Sequence, residues 1–279
     1  MTSREPDATA STGDLPVGDV RTPDLPTAEE VLRAAAAWAW FPRGSEHVRD
    51  EMLLVRYPER FGGGVRGSQV PSTVSAASVL DAALERTRAW GETVFTFWTN
   101  PADGPDLEDE LRRRGAEHVD TVTVFARPTT GVGVDVPPGV SAELVRSLDQ
   151  LREVDAINVP VWGQQPLDED GLRVEFAEVA ATLRTGEGLR VLGRIDGRAV
   201  STGGCTIVDG FTRLWGAATL ETDRGRGVYR AVLAERLRQS AARGAATALV
   251  KGRVSTSAPI LATAGFTRYG EERAYRLTL

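Results

Sequence analysis

The stretch that decides the reading is Asp223-Arg224-Gly225-Arg226-Gly227-Val228-Tyr229. It falls between a β-branched, apolar run at residues 212–220 and an amphipathic segment at residues 228–243, where Val232, Leu233 and Leu237 share one face and Gly244 supplies a stop. Two closely spaced glycines let the backbone turn tightly, so that successive N–H groups point into one concavity at a helix N-terminus. Such a cradle suits phosphate oxygens. Arg224, Arg226 and Arg230 add positive charge around its mouth, unless their long side chains turn to solvent. Two other phosphate loops fit poorly. No Lys-Ser/Thr follows the glycines, as a nucleoside triphosphate loop requires, and Gly225-x-Gly227 lacks the third glycine of the dinucleotide fingerprint. The strands leading in also read as antiparallel, because Asp196-Gly197 and Asp209-Gly210 are hairpin dipeptides separating the runs 189–195, 199–208 and 212–220. A Rossmann unit would need parallel strands there.

Working outward, a strand at 247–254, a short helix at 258–264 ended by Gly265, and one or two strands over 269–279 complete the second half. Upstream lie a short strand at 141–145 and helices at 149–158 and 168–184, parted by Pro160-Val161-Trp162-Gly163. Before them the segment RPTTGVGVDVPPG, residues 127–139, has no room for a helix and marks a boundary. The first half opens with a helix over 27–40, signalled by the capping box Thr27-Ala28-Glu29-Glu30. A strand-like run at 52–57, a turn at Gly62-Gly63-Gly64, a helix at 75–90 stopped by Gly91, a strand at 93–99, a short helix at 107–114 stopped by Gly115 and a strand at 119–126 follow. Both halves thus run long helix, Gly, strand, short helix, Gly, and each is expected to close with its own terminal strand. The fold class is α+β, a mixed central sheet flanked by helices, in two tandem units. The divisions are a disordered tail at 1–26, a first unit at 27–127, a linker at 128–139 and a second unit at 140–279.

Composition narrows the function. The chain has 279 residues, a net charge of −6 and one cysteine, Cys205. An internal disulfide or a cysteine metal cluster is therefore unavailable, and a reducing, cytoplasmic setting is the default expectation. No apolar run reaches membrane-spanning length, and the acidic balance argues against coating nucleic acid.

With its context, Arg224-Gly225-Arg226-Gly227-Val228-Tyr229 resembles the Arg/Gln-x-x-Gly-x-Gly/Ala loop of the GNAT superfamily of acyl-CoA-dependent N-acyltransferases, with Tyr229 in place of the final small residue. Hairpin strands before it, the helix and strand after it, and Ala264-Gly265-Phe266 closing the short helix agree, so the resemblance covers residues 140–279. It implies transfer of an acetyl or similar acyl group from CoA to an amine by direct attack in a ternary complex, with acetyl-CoA or another acyl-CoA as co-substrate and no metal. It further implies that the backbone of Ala217, Ala218 and Thr219 meets the pantetheine arm and that Arg224, Gly225, Arg226, Gly227, Val228 and Tyr229 bind the pyrophosphate. The strand at 248–254 would splay from its neighbour to admit the arm. Ser255, Thr256 and Ser257 would cap the short helix or touch the cofactor.

The resemblance also has a gap. Many GNAT proteins place a tyrosine, as general acid, five positions before the Phe of the Gly-Phe pair; here that position is Leu261. Tyr269 and Tyr275 are replacements by residue type alone, and both also read as half-buried strand aromatics. For the base, Glu221 is the carboxylate nearest the pantetheine-binding strand, although a solvated role beside Arg224 suits it equally. His47 and His118 lie in the first half and serve only if the halves meet over the site. Cys205 reads as small buried packing, and Trp162 as acceptor pocket or core. Trp38 and Trp40 read as core or interface with no chemistry. The first-half counterpart of the loop, Val70-Pro71-Ser72-Thr73-Val74, has neither Gly-x-Gly nor arginine, so that unit is expected to be degenerate. The expected partners are acyl-CoA and an amine acceptor of unknown identity, with no nucleic acid, no membrane and a homodimer left open. The competing reading is a non-catalytic acyl-CoA-binding or interaction protein with the same fold.

Overall fold

The computed structural model describes residues 26–70, 73–103, 106–131, 133–254 and 256–279. The tail expected at 1–26 therefore falls almost wholly outside the described residues, as does Ser255. In chain order the elements are α1 (Ala28–Ala36), β1 (Glu46–Arg49), β2 (Leu53–Arg56), β3 (Val65–Ser68), α2 (Ala76–Ala89), β4 (Val94–Thr99), α3 (Asp106–Arg113) and β5 (Glu117–Pro128). The second half follows with β6 (Val140–Leu144), α4 (Leu148–Trp162), α5 (Glu169–Thr185), β7 (Gly188–Ile195), β8 (Arg198–Val208), β9 (Phe211–Thr219), α6 (Val228–Ala241), β10 (Thr247–Arg253), α7 (Ala258–Thr263) and β11 (Thr267–Thr278).

All eleven strands form one sheet, in the order β1-β2-β3-β4-β11-β5-β10-β9-β8-β7-β6. This order corrects the expectation that each terminal strand closes its own half. β5, from the first half, pairs antiparallel with β10 of the second, while β11 pairs antiparallel with β4 of the first. The two exchanged strands then pair with each other at the centre. Each half keeps one parallel pair, β3 with β4 and β9 with β10, as the crossover through a long helix requires.

Local chemistry explains most elements. Thr27 and Glu30 cap α1 reciprocally, and Ser147 and Gln150 do the same for α4. Asp196-Gly197 and Asp209-Gly210 both take positive φ, the condition for the tight turns joining β7 to β8 and β8 to β9. Four elements depart from expectation, one of them β1, a four-residue strand at Glu46–Arg49 where none was predicted. α1 stops at Ala36, so Trp38 and Trp40 leave the helix. α4 continues through Pro160 to Trp162 and ends at Gly163 with φ +63°, because a proline near the last turn forfeits only one backbone bond. β3, four residues containing an arginine and a glycine, carries too little alternation to be read as a strand.

Helices cover both faces. Phe95, Phe97, Tyr275 and Leu277 meet Leu80 and Leu111 beneath α2 and α3, and Cys205, Leu214 and Val250 meet Leu233 and Leu237 beneath α6. On the opposite face α1 packs Val31 and Ala35 on Val124 and Leu249, and α4 packs Leu151 and Val154 on Leu192 and Ala218. Arg60 clasps the halves, its Nη2 donating at 2.8 Å to Asp155 on α4.

Candidate active site

The site begins where two parallel strands part. β9 and β10 pair only from Thr247 with Phe211 to Val250 with Leu214, after which both continue unpaired with each other. On its other edge β9 carries a bulge: pairing jumps from Thr202 with Ala218 to Gly204 with Trp215, so Gly216 and Ala217 together face Gly203. Gly216 has φ +60°. A bulge twists a strand and re-aims its backbone, here beside the open wedge.

β9 runs into a one-turn helix, Glu221–Asp223, and then the glycine loop. Gly225 and Gly227 have φ +77° and +83°, where a side chain is strained, and Gly227 forms the N-cap of α6. A Cβ at Gly227 would also stand 2.5 Å from Pro137 Cγ of the interunit segment, while one at Gly225 would meet open space. The loop is held from below by Asp223, 1% exposed, which accepts hydrogen bonds from Arg198 Nη2 at 2.7 Å and Arg226 Nη1 at 2.9 Å. Arg198, first among these partners, keeps the Asp223 carboxyl below the usual carboxylate range.

A cavity of about 910 Å³ extends from this loop through the wedge to the opposite face of the sheet. Ala217, Ala218, Thr219, Arg224, Gly225, Gly227, Val228, Tyr229 and Thr256 line it. Two of the loop arginines are turned elsewhere: Arg226 to Asp223, and Arg230 to Asp135 at 3.0 Å. Leu261 also lines the wall, 1% exposed, with its Cδ1 2.6 Å from where a Cβ on Gly252 would stand. A hydrocarbon side chain thus stands where the resemblance implies a hydroxyl.

Glu221 is not brought to the cavity. It is exposed at the start of the one-turn helix, because the chain turns away from the wedge immediately after Thr219. Tyr275 is also elsewhere: its hydroxyl donates to Glu108 Oε2 at 2.9 Å and accepts from Arg112 at 2.6 Å under α3. His118 bonds Thr121 Oγ1 at 2.8 Å, His47 stacks on Phe41, and neither lines the cavity. Cys205 is fully buried beside Ser240.

What sequence reasoning missed comes from the first half and from the last strand. Trp38, Trp40, Tyr57 and Trp98 line the far end of the cavity, joined by Trp162 from the second half. Tyr57 donates to the Trp40 carbonyl at 2.8 Å, which sets the two rings 5.8 Å apart. Among these aromatics stands Glu272 of β11, 5% exposed and opposite Val122 of β5 near the centre of the sheet. Burial pushes its carboxyl up, while Lys251 Nζ at 2.8 Å pulls the other way. The Lys251 ammonium in turn lies 5.6 Å from the centre of the Trp38 ring. The other two carboxylates on the wall are paired as well, Asp223 with its arginines and Asp120 with Arg253 at 3.0 Å; Glu272 differs from Asp223 in that its carboxyl is pushed up by burial where that of Asp223 is held down. A buried acid in an alternating strand is the only sequence signal that Glu272 offered, and its burial depends on strands from the other half.

Comparison with known proteins bears on the fold. No family model and no curated protein sequence matches the chain. Among solved structures, a GCN5-related N-acetyltransferase from Kribbella flavida superposes with a TM-score of 0.63 at 20% identity, over 89% of this chain and 94% of that one. One from Sphaerobacter thermophilus gives 0.63 at 17% identity over 90% and 85%. A tandem GNAT protein from the clavulanic acid biosynthesis pathway gives 0.59 at 14% identity over 89% and 87%. The chain has the GNAT fold, spread over two units that share one sheet.

Proposed function

We propose that the protein transfers an acyl group from acyl-CoA to an amine, the second half holding the donor and the first half completing the acceptor pocket. The observation that carries this reading is the single cavity joining the glycine loop, through the gap between β9 and β10, to Glu272 under the first-half tryptophans. The residues fit the donor. Positive φ at Gly225 and Gly227 turns the loop at the N-terminus of α6, open space lies over Gly225, and unpaired strand edges flank the wedge. Acyl-CoA would supply a thioester there.

The chain's own groups then divide the work. Glu272 takes the proton from the acceptor ammonium, directly or through a water, since only the neutral amine has a lone pair. The backbone of the Gly216–Ala217 bulge polarises the thioester carbonyl. The amine nitrogen bonds to that carbon, the carbon–sulfur bond breaks, and the proton the nitrogen then sheds reaches the thiolate through water, because Leu261 offers no donor. Five aromatic rings around Glu272 favour an amine on an apolar or aromatic body.

The test is a thermal-shift titration with acetyl-CoA followed by thiol release across a panel of arylalkylamines and small polar amines. A saturable shift with thiol release from the aromatic members supports the proposal. Absence of a shift with every acyl-CoA sinks it. Binding without release across the panel selects the acyl-CoA-binding reading, which Leu261 favours.

A further inference from the structure

Arg236 carries a buried charge without a counter-charge among the described residues. It projects from α6, is 1% exposed, and forms part of the wall of the cavity. Its Nη1 donates to the Gly204 carbonyl at 3.3 Å, and its Cζ lies 5.7 Å from the centre of the Tyr229 ring. Nε and Nη2 have no hydrogen-bond partner, and among the described residues no carboxylate lies within ion-pair distance. A second buried guanidinium stands on the other face of the sheet. Arg190 is 7% exposed, its Nε is unpartnered, and its Cζ lies 4.9 Å from the Trp215 ring centre. Burial depresses the Arg190 pKa; Glu175 opposes that shift and the charge on Arg236 adds to it to a smaller extent.

Buried charges are ordinarily paired, because removing them from water without a counter-charge is strongly unfavourable. A leucine at 236 would continue the apolar face of Val232, Leu233 and Leu237 at no such cost. The position of the guanidinium matters as well. Its Cζ stands 3.0 Å from where a Cβ on Gly203 would be, and Gly203 is the residue facing the Gly216–Ala217 bulge. The unpaired cation therefore lies one strand spacing from the backbone assigned to the thioester carbonyl. Glycines at 203 and 204 keep the space open; side chains there would strike Arg236 and Trp215.

We infer that the preferred acyl donor carries a carboxylate at the far end of a short acyl chain, a malonyl-, succinyl- or glutaryl-type thioester, and that Arg236 receives that carboxylate beside the β9 bulge. The inference rests on the acyl-CoA reading above. The anion needed to satisfy Arg236 then arrives with the donor; Nε and Nη2, which are without partners and closed to solvent, are met by a small turn of the side chain toward the cavity it lines.

Isothermal titration of the full chain with acetyl-, butyryl- and succinyl-CoA tests it. Succinyl-CoA should bind at least about tenfold more tightly than butyryl-CoA, as expected for a hydrogen bond to a buried charged group. Arg236→Met should erase that preference while keeping acetyl-CoA affinity within about threefold, and Arg236→Lys should restore part of it. Equal affinity of the wild type for succinyl- and butyryl-CoA overturns the inference without needing any variant to fold. Equal loss of acetyl- and succinyl-CoA in Arg236→Met also overturns it, by making the arginine a general cofactor contact. Failure of all three thioesters to bind refutes the acyl-CoA reading instead, which separates the two outcomes.

Discussion

The two parallel strand pairs of the sheet make an instructive contrast. In the second half, β9 and β10 separate after four paired residues, a bulge re-aims the backbone, and a loop with two positive-φ glycines leads into α6. In the first half, β3 and β4 pair over Val65 with Phe95 to Gly67 with Phe97, and the space beneath is filled. A Cβ on Gly67 would stand 2.9 Å from atoms of both Phe95 and Phe97, whose rings pack with Tyr275 under α2. Ser75, the N-cap of α2, makes no side-chain capping bond, and no arginine cluster precedes it. One plan has thus been used twice, once with an open groove and once with a plugged one. The plugged unit still contributes, because its opposite face presents Trp40, Tyr57 and Trp98 to the open unit's cavity.

Substitutions can break or sharpen this contrast. The largest effect is expected from Glu272→Gln, which should lower kcat by about 10²- to 10⁴-fold, the range for loss of a general base, with acyl-CoA affinity unchanged in titration. The wild-type rate should fall as pH drops through a carboxyl value held above the usual range by burial. A variant retaining full activity and the same acid limb would remove Glu272 from the proton path. Gly225→Val comes next. It meets no neighbour, so only the strained backbone responds; acyl-CoA Kd should rise by roughly tenfold or more for an apparent loss of about 1–2 kcal/mol in stability. Its counterpart in the plugged unit, Gly67→Ala, should do the reverse. Overpacking against Phe95 and Phe97 should cost about 1–3 kcal/mol in denaturant unfolding while leaving acyl-CoA affinity intact. If Gly67→Ala weakened acyl-CoA binding as much as Gly225→Val, the division of labour between the units would be wrong.

The smallest effect is a pH signature at Asp103, between β4 and α3. Burial, ahead of the nearby charge of Glu272, raises the Asp103 carboxyl from 3.8 to about 6. The folded state therefore holds a proton that the unfolded state has released between those values. Its contribution to stability is present below pH 4 and lost as pH rises through about 6. Asp103→Asn should remove this loss, raising stability relative to wild type by roughly 1–3 kcal/mol at pH 7.5 and by much less at pH 4.5. Equal gains at both pH values would show that the effect is not protonation.

Which parts were legible follows from how local their causes are. The glycine loop, the two Asp-Gly hairpins and the Thr27 capping box are decided within a few residues, and the structure has each at its expected position. The splay of β10 from β9 followed from the resemblance and is present. The exchange of β5 and β11 was not legible, because antiparallel pairing depends on partners more than a hundred residues away and leaves the alternation of each strand unchanged. The same long range hid Glu272. Glu221 is close in sequence to β9 yet exposed, whereas Glu272, 53 residues beyond Thr219, is carried to the cavity wall by the fold. Trp38 and Trp40 were noticed, but their exit from α1 toward the cavity depends on the helix ending at Ala36.

The exchanged strands also set an order of assembly. While the chain is being made, the first half has β4 and β5 but a vacant place between them that only β11 can fill. It must wait with two unsatisfied edges through the synthesis of the whole second half, a long-range closure that favours slow folding and exposes it to mispairing. Because Glu272 rides on β11, the acceptor end of the cavity receives its acid in the same closing step. On the proposed function, a partly made or misdocked chain has the glycine loop and no base beside it, so that transfer and completion of the sheet are switched on together.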